Sequence, residues 1–346
     1  MTKVYVGMSG GVDSSLTAAL LVEQGYDVTG VYMKNWTQDL PGMRCPWADD
    51  LADAKRVAVQ LGIDFKVFDF ENEYRHKVVE YMIDEYKHGR TPNPDIMCNQ
   101  EVKFKLFLEA ALEDGADMIA TGHYARVKDG VLLQATDTNK DQTYFLYRVT
   151  GEALQKTLFP LGEFTKPEVR KMAEARGLYT AAKKDSQGIC FVGQIGIREF
   201  LSQYVEQKAG PIIDKQTGKV LGQHDGAIFY TIGQRHGLDV GGGLPYYVVG
   251  KDMDKNEVYV TTNLNDDALW KPELTVAQAH WINEAPEAGE YQVRVRHRAP
   301  LVPAALTHGD DGAVKLVLDS PERAVAPGQS IVIYDGAVCM GGGILL

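Results

Sequence analysis

At 346 residues, with 45% hydrophobic and 24% charged content, the chain has a globular composition and the length of two or three domains. A net charge of −11 argues against non-specific nucleic-acid binding, which needs a basic surface. No apolar stretch nears the roughly 20 residues that span a bilayer. Met1-Thr2-Lys3 runs straight into an apolar segment, and the four cysteines include no close pair, so a reducing cytoplasm is expected rather than secretion or a disulfide scaffold.

The first expected strand, Val4 to Met8, runs into Ser9-Gly10-Gly11-Val12-Asp13-Ser14 and then a helical pattern from Leu16 to Gln24, closed by Gly25. A strand, a glycine-rich turn and a helix N-terminus in that order make an anion site, where backbone N–H groups and the helix dipole face one pocket. No Gly-x-x-x-x-Gly-Lys-Ser/Thr or Gly-x-Gly-x-x-Gly run occurs at this turn, which excludes a Walker loop and a dinucleotide fingerprint. Ser-Gly-Gly-x-Asp-Ser resembles the PP-loop of the N-type ATP pyrophosphatases, which implies ATP binding and adenylation of a second substrate.

Strand Asp27 to Met33 follows, then an irregular stretch with Trp36, Pro41, Gly42 and Pro46. A helix over about Ala48 to Leu61 carries Leu51, Ala54, Val57, Ala58 and Leu61 at the 3.6-residue period. Phe65 to Phe70 reads as a strand and Glu73 to His88 as a helix. The loop Thr91-Pro92-Asn93-Pro94 comes next, then a helix from about Asn99 to Glu113 and a strand at Met118-Ile119-Ala120. This βαβα order predicts an α/β fold, a doubly wound, mostly parallel sheet with ligands at its carboxyl edge, where Met33 and Gly122 fall. Thr165-Lys166-Pro167-Glu168 opens a helix to Arg176, and a polar loop carries Asp185 to Phe191. From Gly210 the pattern is β-rich, and the last strands, among them Tyr291 to His297, Ala313 to Leu318 and Ser330 to Tyr334, predict a small β-barrel or sandwich. The expected divisions are 1–209, 210–271 and 272–346. Arg294, Arg296 and Arg298 alternate with apolar residues and are expected on one strand face.

Two cysteines sit in polar loops. Cys98 follows a stiff Pro-containing loop at a helix N-terminus, a position expected to lower a thiol pKa, with Asp95 three residues before it. Cys190 lies in the Asp185–Phe191 loop, whereas Cys339 sits in an apolar run as a structural cysteine would. Two loop thiols beside an ATP-pyrophosphatase loop suit sulfur transfer onto a carbon activated as its O-adenylate.

The longer motifs are more specific. Gly7 to Ser14, Thr91-Pro92-Asn93-Pro94-Asp95 with Cys98-Asn99, Thr121-Gly122-His123-Tyr124 and Lys140-Asp141-Gln142-Thr143-Tyr144-Phe145-Leu146 resemble the tRNA-specific 2-thiouridylase (MnmA) family. So do Phe159-Pro160-Leu161-Gly162, Lys184 to Phe191, Tyr230 to Arg235, Tyr334-Asp335-Gly336 and Gly341-Gly342-Gly343. The resemblance runs from the first strand to the C-terminus. It implies a PP-loop domain, a small central domain and a C-terminal β-barrel. It also implies ATP-dependent replacement of the 2-oxygen of a wobble uridine by sulfur, giving 2-thiouridine, AMP and pyrophosphate. By position, Gly7, Met8, Ser9, Gly10, Gly11, Val12, Asp13, Ser14, Met33 and Gly122 would bind ATP with Mg²⁺. Asn93, Pro94 and Asp95 would contact the target base, with Asp95 as acid/base. Cys98 would be the nucleophilic thiol and Cys190 the persulfide carrier, and the two could close a transient disulfide. Lys140, Asp141, Gln142, Arg296 and His297 would touch tRNA. The expected partners are tRNA and a cysteine desulfurase or sulfur-relay protein, and the expected state is a cytoplasmic monomer.

Three other readings stay open at this level. An ATP-pyrophosphatase C–N ligase or a non-catalytic RNA-binding protein would leave Cys98 and Cys190 unused. An iron–sulfur cluster on Asp95, Cys98 and Cys190 would change the sulfur carrier, although no clustered cysteine motif is present.

Overall fold

In the computed structural model, residues 1–39, 45–184, 196–241, 243–309 and 312–346 are described. The Asp185–Phe191 loop, Cys190 included, lies outside them, as do Pro41 and Gly42. Strand β1 (Lys3–Gly7) has Val4, Tyr5 and Val6 wholly buried. A strand buried on both faces belongs to a sheet covered by helices on both sides. β1 pairs in parallel with β2 (Asp27–Lys34) and β4 (Met118–Ala120). Outside them lie β3 (Asp64–Asp69) and β7 (Thr157–Leu158), giving the order β3-β2-β1-β4-β7. This is the expected doubly wound parallel sheet.

Helix α1 (Val12–Glu23) follows β1 directly, and α2 (Trp47–Leu61) buries Ala54, Val57 and Ala58 before Gly62 ends it in the left-handed conformation at φ 67°. Two further helical runs change winding along their length. The first is Glu71–Tyr74, a π-wound Arg75–Glu80 and Tyr81–Lys87. The second is Pro94–Met97, a π-wound Cys98–Leu106 and Phe107–Glu113. The second begins at Pro94 rather than near Asn99, because Asn93 Oδ1 accepts the Asp95 N–H at 3.1 Å and proline suits a first helical turn.

Four strands, β8 (Gly210–Asp214), β9 (Val220–His224), β10 (Tyr247–Asp252) and β11 (Glu257–Thr261), form a separate sheet in the order β10-β11-β8-β9. The C-terminal strands are β12 (Trp270–Trp281), β13 (Gly289–Arg294), β14 (Val302–His308), β15 (Val314–Arg323), β16 (Ser330–Asp335) and β17 (Val338–Leu345). They run in the order β12-β15-β14-β13-β16-β17 and close through β12–β17 into a barrel. Val314, Leu316 and Leu318 point into it while Lys315 and Val317 point out, the period-two signature of a half-buried strand. The hairpin of β5 (Arg126–Lys128) and β6 (Val131–Leu133) leaves the first domain and joins the barrel sheet at Val338↔Leu133.

Two expectations need correcting here. The strand expected over Tyr291–His297 stops at Arg294, because the Arg296 carbonyl accepts the Ala299 N–H at 3.1 Å and Arg298 is left-handed at φ 64°. Arg294, Arg296 and Arg298 therefore share no strand face. Arg294 turns inward and is buried, while Arg296 and Arg298 are exposed.

Among the described residues no helix is long and apolar enough to cross a membrane.

Candidate active site

At the carboxyl edge of β1, the Ser9–Ser14 turn feeds α1. Gly11 occupies the N-cap position with no side chain capping the helix, so the first-turn N–H groups remain free of an internal cap. The hydroxyls are committed within the loop: Ser14 Oγ donates to Gly11 O at 3.2 Å and accepts from Ser9 N, also at 3.2 Å. Gly10 takes φ 73°, and a Cβ there would run into the Asp50 carbonyl. A Cβ on Gly122 would lie 2.8 Å from Ser14 N, so this residue must be glycine for the β4 edge to close on the loop. A Cβ on Gly7 would meet the mobile end of the Met33 side chain, Cε, at 3.0 Å, a milder restriction. The strand ends thus bring Gly7, Met8, the loop, Met33 and Gly122 together. The adjoining cleft, about 280 Å³, is lined by Ser9, Asp13, Asp50, Tyr124, Lys140, Gln142, Lys183, His297 and Arg298 among others.

Asp13 is held from two sides. The Lys166 ammonium donates to both carboxylate oxygens, at 2.7 and 2.8 Å, and Tyr124 OH donates to one of them at 2.9 Å. Lys166 is buried, with its ammonium 5.7 Å from the Tyr124 ring centroid. Sequence reasoning treated Lys166 only as part of a helix start. Its signal, a lysine at the first helical position where an acidic residue is the favoured choice, was available. Lys183, which the sequence marks only as part of a basic Lys183-Lys184 spot, bridges Asp50 and Asp53 at 2.7 Å each. These groups suit phosphates: helix N–H groups and two lysines, Lys166 on Asp13 and Lys183 on Asp50 and Asp53, meet at the cleft. Mg²⁺ would fit such a site when carried by the phosphates, with Asp13 or Asp50 supplying a protein carboxylate, since this ion keeps most of its water and phosphate ligands. Among the described residues no group of three or more His, Cys, Asp or Glu side chains forms a metal cage.

The second constellation sits where the Pro94–Glu113 helical run begins. Asp95 and Cys98 are three residues apart, and the Cys98 N–H bonds back to the carbonyls of Asp95 and Pro94. Burial pushes the Cys98 thiol above its ordinary range; Lys103 and a hydrogen bond with Tyr74 oppose that, while Asp95 adds to it. The resting group is therefore a thiol, which corrects the expectation of a lowered pKa: the chain continues directly into the helix and encloses the sulfur, so the loss of water outweighs the helix N-terminus. Burial also raises the Asp95 carboxyl, with Lys103 opposing. His123 is neutral for the same reason, packed between Phe104 and Phe159 with Nδ1 2.8 Å from Thr121 Oγ1. The loop before Asn93 is clamped by both other domains: Thr91 N donates to Pro327 O at 2.8 Å, and Thr91 Oγ1 lies 3.2 Å from Thr231 Oγ1. Of the candidate residues only Cys190 lies outside the described part of the chain.

The residues expected to meet RNA divide in two. Lys140, Gln142 and His297 line the cleft, and Arg296 is exposed, with its guanidinium held at 3.0 Å by Ala324 O. Asp141 does not meet solvent. It is 1% exposed, with Oδ2 accepting from Arg294 and Thr143 at 2.8 Å each and Oδ1 accepting from Ala135 N at 3.0 Å. This side chain therefore bolts the first domain to the barrel, which leaves Lys140 and Gln142 as the members of the expected Lys140–Gln142 group that face the cleft. His297 packs on Phe145 at 4.5 Å, and burial, with Arg298 and Arg294 beside it, lowers its pKa to about 4.

Three family models match in succession: a tRNA methyl transferase HUP domain over residues 2–194, a tRNA methyl transferase PRC-barrel domain over 198–262, and an aminomethyltransferase beta-barrel domain over 271–345. The curated tRNA-specific 2-thiouridylase MnmA of Idiomarina loihiensis is 49% identical, covering 99% of this chain and 95% of that protein. The chain belongs to the tRNA-specific 2-thiouridylase family. Its namesake from Streptococcus sanguinis is likewise 49% identical, and MnmA 2 of Geobacillus kaustophilus is 47% identical, each covering 99% of this chain. In this 2-thiouridylase family member, the parallel sheet, the central sheet and the barrel fall within the three matched segments in turn.

Proposed function

We propose that this enzyme replaces the 2-oxygen of a wobble uridine in tRNA with sulfur, spending ATP to activate the base. The reading rests on one observation: the anion site at Gly10–Ser14 and the Asp95–Cys98 pair occupy one domain, with the loop before the pair pinned by both of the others. The full-length relatives named as 2-thiouridylases support it. The divisions at 209/210 and 271/272, the cytoplasmic setting and a monomeric state are part of the same proposal.

The chemistry follows from the groups. The uridine O2 attacks the α-phosphorus of ATP, and pyrophosphate leaves against Lys166 and the α1 N-terminus. Asp95, whose burial raises its basicity, takes the N3 proton as O2 becomes the adenylate oxygen. The terminal sulfur of a Cys190 persulfide then attacks C2, and AMP leaves. Cys98, as thiolate, attacks Cys190 Sγ; the S–S bond to the transferred sulfur breaks, 2-thiouridine departs, and a Cys98–Cys190 disulfide remains for an external thiol to reduce. Lys140, Gln142, Arg296 and His297 would make a few placed RNA contacts, which an overall acidic chain permits.

Labelled sulfur distinguishes the thiols. Cys190→Ser should accept no sulfur from a cysteine desulfurase yet still adenylate tRNA and release pyrophosphate, while Cys98→Ser should load sulfur but fail to turn over. Sulfur on Cys98 in the Cys190→Ser protein would reverse the roles, and full activity of both variants would remove the thiol mechanism. An aminated rather than thiolated nucleoside would return the reading to a C–N ligase.

A further inference from the structure

The Cys98 thiol is enclosed, yet the proposed chemistry asks it to become an anion. A buried thiolate needs a cation close by, because solvent cannot supply the compensation. Three lysines lie nearby, two on the helix that carries Cys98 and one on the neighbouring run, and they behave differently. Lys77, from the neighbouring run, and Lys105 both pair with Glu101, at 3.1 and 3.5 Å. Lys103 has neither an ion pair nor a hydrogen bond among the described residues, and it is partly buried between the enclosed Val102 and Phe104.

The winding of the helix explains where its charge goes. From Cys98 to Leu106 the backbone is π-wound, with hydrogen bonding from each residue to the fifth beyond it. In an α-helix a residue five positions on points well away from the first. In the wider π-turn it returns toward the same side, which carries Lys103 round to the Cys98 face. The field of its ammonium accordingly acts on Cys98, on Asp95 and on His123. The Asp95 carboxylate likewise makes no side-chain hydrogen bond or close ion pair among the described residues, so a cation and an acid that feel one another's charge flank one thiol.

We propose that Lys103 is a positioning residue for the thiol chemistry: its ammonium is the counter-charge that lets Cys98 act as a thiolate beside Asp95. The groups facing the sulfur are then Lys103 and Asp95 on its own helix and Tyr74 from the packed neighbouring run, with His123 near Lys103. Lys103 and Asp95 act in opposite senses. This rests on the proposed role of Cys98, but its test does not depend on turnover.

The test is the pH midpoint of Cys98 alkylation by iodoacetamide, followed by peptide mass spectrometry on the full-length protein. Lys103→Met should raise the midpoint by about one unit, a tenfold loss of thiolate at fixed pH below it. Asp95→Asn should lower it, Lys103→Arg should hold it near the wild-type value, and Lys105→Met should leave it in place. General loosening of the helix would move the Lys103→Met and Asp95→Asn midpoints the same way, and that result overturns the proposal. An unmoved midpoint in Lys103→Met also overturns it. Wild-type turnover by Cys98→Ser would instead remove the thiol's catalytic role, leaving the pairing to the midpoints.

Discussion

Replacing Lys166 by methionine tests the anion site at its most buried charge. The substitution keeps the length of the side chain but removes the ammonium that grips both Asp13 oxygens at 2.7 and 2.8 Å. Breaking a fully buried ion pair costs about 3–5 kcal/mol, because one charge is left without compensation. Asp13 keeps its Tyr124 hydrogen bond and its side chain is 32% exposed, so water recovers part of that cost. The expected loss is therefore about 2 kcal/mol. The double variant Asp13→Asn with Lys166→Met removes both charges and retains a polar partner for Tyr124, and should be more stable than Lys166→Met alone. Activity should part company with stability: both proteins should lose about 100-fold or more in pyrophosphate release, since the cation facing the leaving phosphates is gone. Urea denaturation and a pyrophosphate assay with tRNA present read the two quantities separately. Additive stability losses, or pyrophosphate release at the wild-type rate in Lys166→Met, would refute the reasoning.

The Asp141–Arg294 pair should behave as structure: Arg294→Met should cost about 3–5 kcal/mol in urea denaturation, whereas a residue used only for RNA would leave stability unchanged. His297 titrates near 4 in the folded chain and near 6.5 when unfolded, so its contribution is present above pH 6.5 and lost as pH falls toward 4. Wild type should accordingly lose more stability than His297→Gln between pH 6.5 and 5 in urea melts, and equal losses would contradict the burial of the ring. Arg296→Ala should flatten the salt dependence of tRNA affinity by about one phosphate contact, roughly 0.7 to 0.9 in the log–log slope, and leave ATP binding intact. An unchanged slope would remove this exposed arginine from the RNA footprint.

How far the sequence reveals the fold depends on where the information lies. The parallel sheet is legible because β1 and the middle of β2 are short runs rich in Val and Tyr between turn glycines and α2 has a clear period, and the Gly10 and Gly122 positions are legible because a Cβ there meets backbone. Charge placement is less legible. Lys166 lies far from Asp13 in sequence, and only the docking of its helix against α1 brings them together. Alternation suggests that Arg294, Arg296 and Arg298 share a face, but the turn after Arg294 is fixed by tertiary contacts, with Arg296 bonding to the Arg323 and Ala324 carbonyls. The thiol reading assumes an exposed helix N-terminus. The π-wound continuation through Leu106 encloses the sulfur instead, and no local residue pattern announces π-winding.

The central claim is tested most directly by one reconstitution: purified protein, unmodified tRNA, ATP with Mg²⁺ and a cysteine desulfurase with cysteine, followed by nucleoside mass spectrometry. The prediction is 2-thiouridine at the wobble position, with one AMP and one pyrophosphate formed per sulfur incorporated and none of the thionucleoside when ATP is withheld. Sulfur incorporation without ATP, release of ADP and phosphate instead, or a modified base carrying no sulfur would contradict it.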